Sequence, residues 1–123
     1  MAVKIYSYKN CSTCRKALGF LSQREVSFQS IDIASSPPGK PELKAMLAHY
    51  GGKIRKLFNT SGQAYRELGL SGKIDDMSPE EALTLLASNG KLVKRPFLMR
   101  DGQPIAIGFD EKEWEGALVT AGL

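Results

Sequence analysis

The hydrophobic period of this chain changes near its N-terminus, and the change falls on a pair of cysteines. Val3, Ile5 and Tyr8 belong to a short apolar segment of strand type. Cys14, Ala17, Leu18 and Leu21 then recur at helical spacing and predict a helix over about 12–23. The junction reads Tyr8-Lys9-Asn10-Cys11-Ser12-Thr13-Cys14-Arg15-Lys16-Ala17 and holds both cysteines of the chain. Val26, Phe28, Ile31 and Ile33 predict a second strand, with a kink between Phe28 and Ile31, so the chain opens β-α-β.

The remainder sorts by its punctuation. Ser35-Ser36-Pro37-Pro38-Gly39 is a loop. Leu43, Met46, Leu47 and Tyr50 form one face of a helix that Gly51-Gly52 ends, and a short helix follows over Gln63–Leu68. Ser78-Pro79-Glu80-Glu81 combines a capping box with proline at the first helical position, and Asn89-Gly90 stops the helix it starts. Phe97-Leu98-Met99 and Ile105-Ala106-Ile107 flank Asp101-Gly102, the signature of a β-hairpin. Asp110 with Glu113 is expected to cap a last helix carrying Trp114, Ala117 and Leu118. The string β-α-β, helical stretch, β-β-α is the thioredoxin-like plan of the α/β class, with a helical insertion at about 41–90. No repeat and no long linker divides the 123 residues, which predicts one domain over 1–123.

Two cysteines two residues apart could be half of a metal site, a structural disulfide or reactive thiols. A tetrahedral zinc site needs four ligands, and Cys11, Cys14 and the single His49 are too few. His49 reads instead as a surface or boundary residue. A disulfide closing so small a loop would stabilise little. Two buried inert thiols, or a redox or nucleophilic pair, remain. The second reading has a mechanism. Cys11 falls just before the first helical turn, where unpaired backbone N–H groups and the helix dipole favour an anion. Lys9, Arg15 and Arg95 could add positive potential. Cys14, one turn inside, is shielded and suited to resolve a mixed disulfide. The same N–H groups would cradle an oxyanion.

The net charge of +4 is mild and scattered. Lys53-Ile54-Arg55-Lys56 and Lys91-Leu92-Val93-Lys94-Arg95 lack the interleaved aromatics of a single-strand platform. They read as solvated surface, or as an anion-attracting rim around an active site, and direct nucleic-acid binding is not expected. No apolar run approaches the roughly 20 residues that span a bilayer. The chain enters Val3-Lys4-Ile5-Tyr6 without a signal-peptide pattern, so a cytoplasmic, monomeric protein without membrane contact is expected.

Cys11-Ser12-Thr13-Cys14-Arg15-Lys16-Ala17, Leu57-Phe58-Asn59-Thr60-Ser61-Gly62, Tyr65-Arg66-Glu67-Leu68, Lys94-Arg95-Pro96 and Gly108-Phe109 together resemble the ArsC/Spx/YffB family over essentially residues 3 to 118. The resemblance implies a thioredoxin fold with an inserted helical subdomain, a cis Pro96 facing the cysteine loop, and Arg95 as an active-site arginine beside the nucleophile. It implies three competing roles. One is arsenate reduction, with glutathione and glutaredoxin completing the cycle. The arsenate enzymes use three arginines. Asn59 stands where a second is expected, and Ile107 or a neighbour where a third is. Another is a redox-sensing regulator that binds the RNA polymerase α subunit, with Gly52 near the glycine of that contact. The third is a thiol–disulfide or glutathione-dependent thiol reductase. A thiol-dependent reductase without a bound cofactor, drawing electrons from glutathione, glutaredoxin or a similar thiol, is the leading expectation. Its expected catalytic residues are Cys11, Cys14 and Arg95. Asn10, Ser12, Thr13, Arg15, Asn59 and Pro96 are expected around a small thiol, disulfide or oxyanion substrate, and no metal is expected.

Overall fold

The computed structural model describes residues 3–123. Strand β1 (Val3–Ser7) leads through the cysteine loop into helix α1 (Ser12–Gln23) and then strand β2 (Gln29–Asp32). Helices α2 (Lys40–His49), α3 (Gln63–Glu67) and α4 (Pro79–Ser88) follow, with short 3₁₀ turns at Ile54–Leu57, Leu70–Gly72, Ile74–Asp76 and Gly90–Leu92. Strands β3 (Phe97–Arg100) and β4 (Gln103–Ile107) and helix α5 (Glu111–Thr120) close the chain. The sheet order is β2-β1-β3-β4. The β1–β2 pair is parallel, and the β1–β3 and β3–β4 pairs are antiparallel. This is the thioredoxin-like arrangement anticipated from the order of elements.

The period-2 alternation of the strands divides the core into two layers. Val3 and Ile5 of β1 and Leu98 of β3 face α1 and α5, packing with Ala17, Leu21, Trp114 and Leu118. Tyr6, Phe97 and Met99 point the other way, into the helical block, where they meet Leu43 and Met46 of α2 and Leu83 and Leu86 of α4. The insertion therefore covers one whole face of the sheet.

Local signals decide where the elements end. Asp101 and Gly102 take φ +50° and +80°, the positive pair that a tight hairpin turn requires. Ser78 accepts from the Glu81 N–H at 3.1 Å, and Glu81 accepts from the Ser78 N–H at 3.4 Å, completing the capping box. The last helix differs from expectation. Asp110 occupies its N-cap position, but its side chain makes no capping bond. Glu113 is drawn away to accept from the Tyr50 hydroxyl at 2.6 Å, and that hydroxyl in turn accepts from the Ile107 N–H at 3.0 Å. The second strand is also shorter than its apolar pattern predicts. Val26 and Phe28 pack on the α1–α5 side, whereas Ile31 and Ile33 pack in the opposite layer. Only Gln29–Asp32 is regular strand between them. Tyr8, expected in the first strand, lies just beyond it.

The end of α4 is anchored to the end of β2 by a close backbone approach. A Cβ added at Gly90 would sit 1.7 Å from the carbonyl oxygen of Ile33. The neighbour is backbone and cannot rotate away. Gly90→Ala is therefore expected to destabilise the fold by at least the ~1–3 kcal/mol of an overpacked core. Urea unfolding of the variant checks this, and an unchanged midpoint would contradict it.

Candidate functional site

Cys11 is the N-cap of α1, with extended backbone at φ −110°, ψ 109°. Its Sγ takes the place that a serine oxygen usually fills at a helix start and accepts the Cys14 N–H at 3.1 Å. Ser12 and Thr13 form the first turn, where no intrahelical carbonyl exists to receive their N–H groups. Cys11 is half-exposed. Cys14, three residues on, is only 1% exposed. Burial pushes the Cys14 thiol up to about 12, helped by its hydrogen bond with Cys11, while a backbone bond from Tyr8 and the Arg95 charge pull the other way. Both cysteines are free thiols in this structure.

The opposite wall comes from the insertion. Leu57–Asn59 runs antiparallel to Leu92–Lys94: the Asn59 N–H donates to the Leu92 carbonyl at 2.7 Å and the Lys94 N–H to the Leu57 carbonyl at 2.8 Å. Phe58 and Val93 pair between them, both buried. This short ladder carries Asn59 to the mouth of the cysteine loop. Gly62 makes room for it, since a Cβ at that position would lie 2.5 Å from Asn59 Nδ2. The third wall follows the cis Arg95–Pro96 bond. The Pro96 carbonyl accepts from the Gly108 N–H at 2.8 Å, and the buried Trp114 donates from Nε1 to the Gly108 carbonyl at 2.8 Å. Gly108 and Phe109 are thereby held against the site.

These walls enclose an open cleft of about 510 Å³. Cys11, Asn10, Ser12, Thr13, Asn59 and Arg95, all expected at the site from the sequence, line it together. Cys14 lies behind Cys11. Pro96 is buried beneath the cleft and is not on its lining, and Arg15 turns outward, its guanidinium donating to the Lys9 carbonyl at 3.3 Å. Tyr8, Ser61, Gly62, Lys94, Gly108 and Phe109 complete the lining. Of these, Lys94 belongs to a basic cluster that the sequence offers as a rim around an active site, and Ser61 and Gly62 to a 59–62 stretch able to line a groove, whereas Tyr8 is expected in the strand and Gly108-Phe109 carries only the family resemblance.

The positive charge is specific. Arg95 lies over the Tyr8 ring, 4.8 Å from its centroid, and donates to the Lys91 carbonyl at 3.2 Å. Lys94 is the second cation on the cleft. Ile107 supplies none; it is buried among the apolar residues of the helical layer. Arg55 is also elsewhere. Asp75 holds its guanidinium through two contacts, at 3.3 and 3.1 Å. His49 is exposed, with its ring against that of Tyr50 at 5.1 Å, and is not on the cleft.

The sequence profile of the ArsC family matches residues 6–117. An uncharacterized protein, YusI of Bacillus subtilis, is 46% identical over 115 residues, which cover 94% of this chain and 97% of that protein. The global transcriptional regulator Spx of Streptococcus mutans is 30% identical over 111 residues, 90% of this chain and 79% of Spx. A crystal structure of a possible arsenate reductase from Streptococcus mutans superposes with a TM-score of 0.82 at 42% identity, covering 87% of this chain and 90% of that one.

The unequal placement of the thiols predicts unequal reactivity. A limiting amount of iodoacetamide at neutral pH should label Cys11 well before Cys14, because Cys14 is both buried and held protonated. Peptide mapping by mass spectrometry reads the order. Equal labelling, or Cys14 first, would contradict the assignment.

Proposed function

We propose that this chain, which belongs to the ArsC family, is a thiol-dependent reductase with Cys11 as nucleophile and Cys14 as resolving thiol. The observation that carries this reading is the pairing of a half-exposed sulfur at a helix N-terminus, open to a cleft, with a second sulfur buried one turn behind it. The Cys11 thiolate attacks one sulfur of a substrate disulfide. A new Cys11–substrate disulfide forms, and the other half leaves as a thiolate that takes a proton. Cys14 then loses its proton and attacks Cys11 Sγ. The Cys11–Cys14 disulfide closes and the second substrate thiol departs. Two electrons have passed from the cysteine pair to the substrate, and glutathione or glutaredoxin returns them.

The position of Cys14 sets the pH dependence. Its thiol is raised to about 12, so at neutral pH it is almost wholly protonated. Bonding Cys11 to substrate removes the Cys11 contribution but leaves the desolvation. The rate of resolution should therefore rise with pH through the neutral range, approaching tenfold per unit, since thiolate grows in that proportion below the pKa. Stopped-flow release of the second thiol measures it, and a pH-independent release step would contradict this route.

Arsenate is a poorer fit. The cleft offers Arg95, Lys94 and the first N–H groups of α1, but no second guanidinium, because Asn59 lies where one is expected and Asp75 occupies Arg55. Lysine is a point charge and does not hold two oxygens in a planar fork. Asn59→Arg should raise kcat/KM for arsenate about tenfold if the added contact contributes ~1.4 kcal/mol in the transition state. Arg95→Ala should remove the remaining arsenate turnover, and Cys14→Ser should spare it. Robust glutaredoxin-coupled turnover by the unmodified protein, indifferent to Asn59→Arg, would shift the reading to a plain arsenate reductase.

A second reading follows from the identity with Spx. Gly52 is exposed just beyond α2, at φ +81°, with open space around its Cα. A redox-sensing regulator would present this surface to the RNA polymerase α subunit. Saturable binding of the purified α C-terminal domain, lost in a Gly52→Arg variant, would favour the regulator.

A further inference from the structure

We infer that a second cavity beside the cysteine cleft binds a carboxylate at the far end of the thiol or disulfide substrate; this rests on the reductase reading above. The cavity measures about 580 Å³ and lies between the Ile54–Leu57 turn, α3 and the segment at Lys94. Lys94 lines both spaces. Phe58 and Thr60 line the second cavity on either side of Asn59, which lines the first. The two spaces thus share a wall, and a ligand whose sulfur meets Cys11 can extend past Lys94 into the second.

The chemistry of the second cavity is that of an anion site with an apolar floor. The Lys94 and Lys56 ammonium groups have no carboxylate partner among the described residues. Lys56 is placed by the Tyr50 ring, 5.2 Å from its centroid. Arg55 has a different part. Asp75 and the Ser71 carbonyl satisfy Nε and Nη2, and Nη1 donates to the Tyr65 hydroxyl at 3.4 Å. That contact fills an acceptor position of the phenol, so its own proton is left to donate into the cavity. Buried Phe58 supplies the floor. Two unmatched ammonium groups and an oriented O–H donor above an aromatic ring suit a carboxylate on a short aliphatic stem.

Such a substrate uses the chemistry already described. The Cys11 thiolate breaks the disulfide of a dicarboxylate, forms a mixed disulfide with one half and releases the other half as a thiol after protonation. The retained half keeps its carboxylate at Lys94 and Lys56 while Cys14 displaces its sulfur from Cys11. The dithiol is oxidised and the substrate disulfide reduced, with no further co-reactant in the half-cycle.

Binding and turnover test this separately. In an amide NMR titration of the reduced protein, the unreactive thioether thiodipropionate should shift Lys56, Phe58, Thr60 and Tyr65. It should bind about tenfold more tightly than uncharged thiodiglycol, a difference of ~1.4 kcal/mol. Lys56→Gln should remove most of that preference and Lys56→Arg should keep it. Equal affinities, shifts confined to the Cys11 loop, or a preference unchanged in Lys56→Gln would each overturn the proposal. In the catalytic arm, kcat/KM for dithiodipropionate relative to bis(hydroxyethyl) disulfide should exceed one and fall in Lys56→Gln. Turnover of both disulfides without a preference would overturn the carboxylate site and leave the reductase reading standing. Anion-selective binding without turnover of either would sustain the site and remove the reductase reading.

Discussion

Two backbone hydrogen bonds, from Asn59 to Leu92 and from Lys94 to Leu57, join the inserted helical block to the segment that enters β3. The wall of the cleft that faces Cys11 depends on them. The ladder they form has Phe58 and Val93 as its central pair, both buried. Its ends emerge on opposite sides of the same opening. One end delivers Asn59 and the Ser61-Gly62 turn, and the other delivers Lys94 and Arg95. The ladder thus sets these residues on the same open cleft as Cys11 at the α1 N-terminus, and the sulfur faces a lined space.

Within that space, chemistry is divided by burial more than by residue type. Cys11 and Cys14 carry the same thiol, yet the helix that exposes one hides the other. Cys14 packs behind the loop, and desolvation disfavours its thiolate. The cations are divided by their partners. Arg95 is clamped by an aromatic face and a carbonyl, Arg55 is consumed by Asp75, and Lys94 and Lys56 have no ion pair among the described residues. Lys94, the one residue that lines both spaces, carries its charge without an ion pair among the described residues.

Much of the frame could be read from local signals that act within a few residues. The helix over 12–23, the Asp101-Gly102 hairpin and the Ser78–Glu81 capping box each reflect near-neighbour chemistry, and each is present. The departures involve partners far along the chain. Tyr50, more than sixty residues before Glu113, removes that side chain from the cap it was expected to complete. Val26 and Phe28 look continuous with Ile31 and Ile33, but the two pairs serve opposite layers of the core. Arg55 and Lys94 sit in similar basic clusters, and only Asp75, twenty residues beyond the first, sets them apart as charge sources. Lys94 owes its place at both cavities to the ladder, which no local pattern announces.

The central claim is the division of labour between the two sulfurs, and trapping tests it most directly. Protein carrying Cys14→Ser, mixed with a small disulfide, should stop at a mixed disulfide on Cys11 that persists until an external thiol is added. The unmodified protein should pass through the same adduct and end with Cys11 joined to Cys14. Intact-mass and peptide analysis of quenched samples distinguish the two. An adduct located on Cys14 of the unmodified protein, or failure of Cys14→Ser to accumulate any adduct on Cys11, would contradict the account.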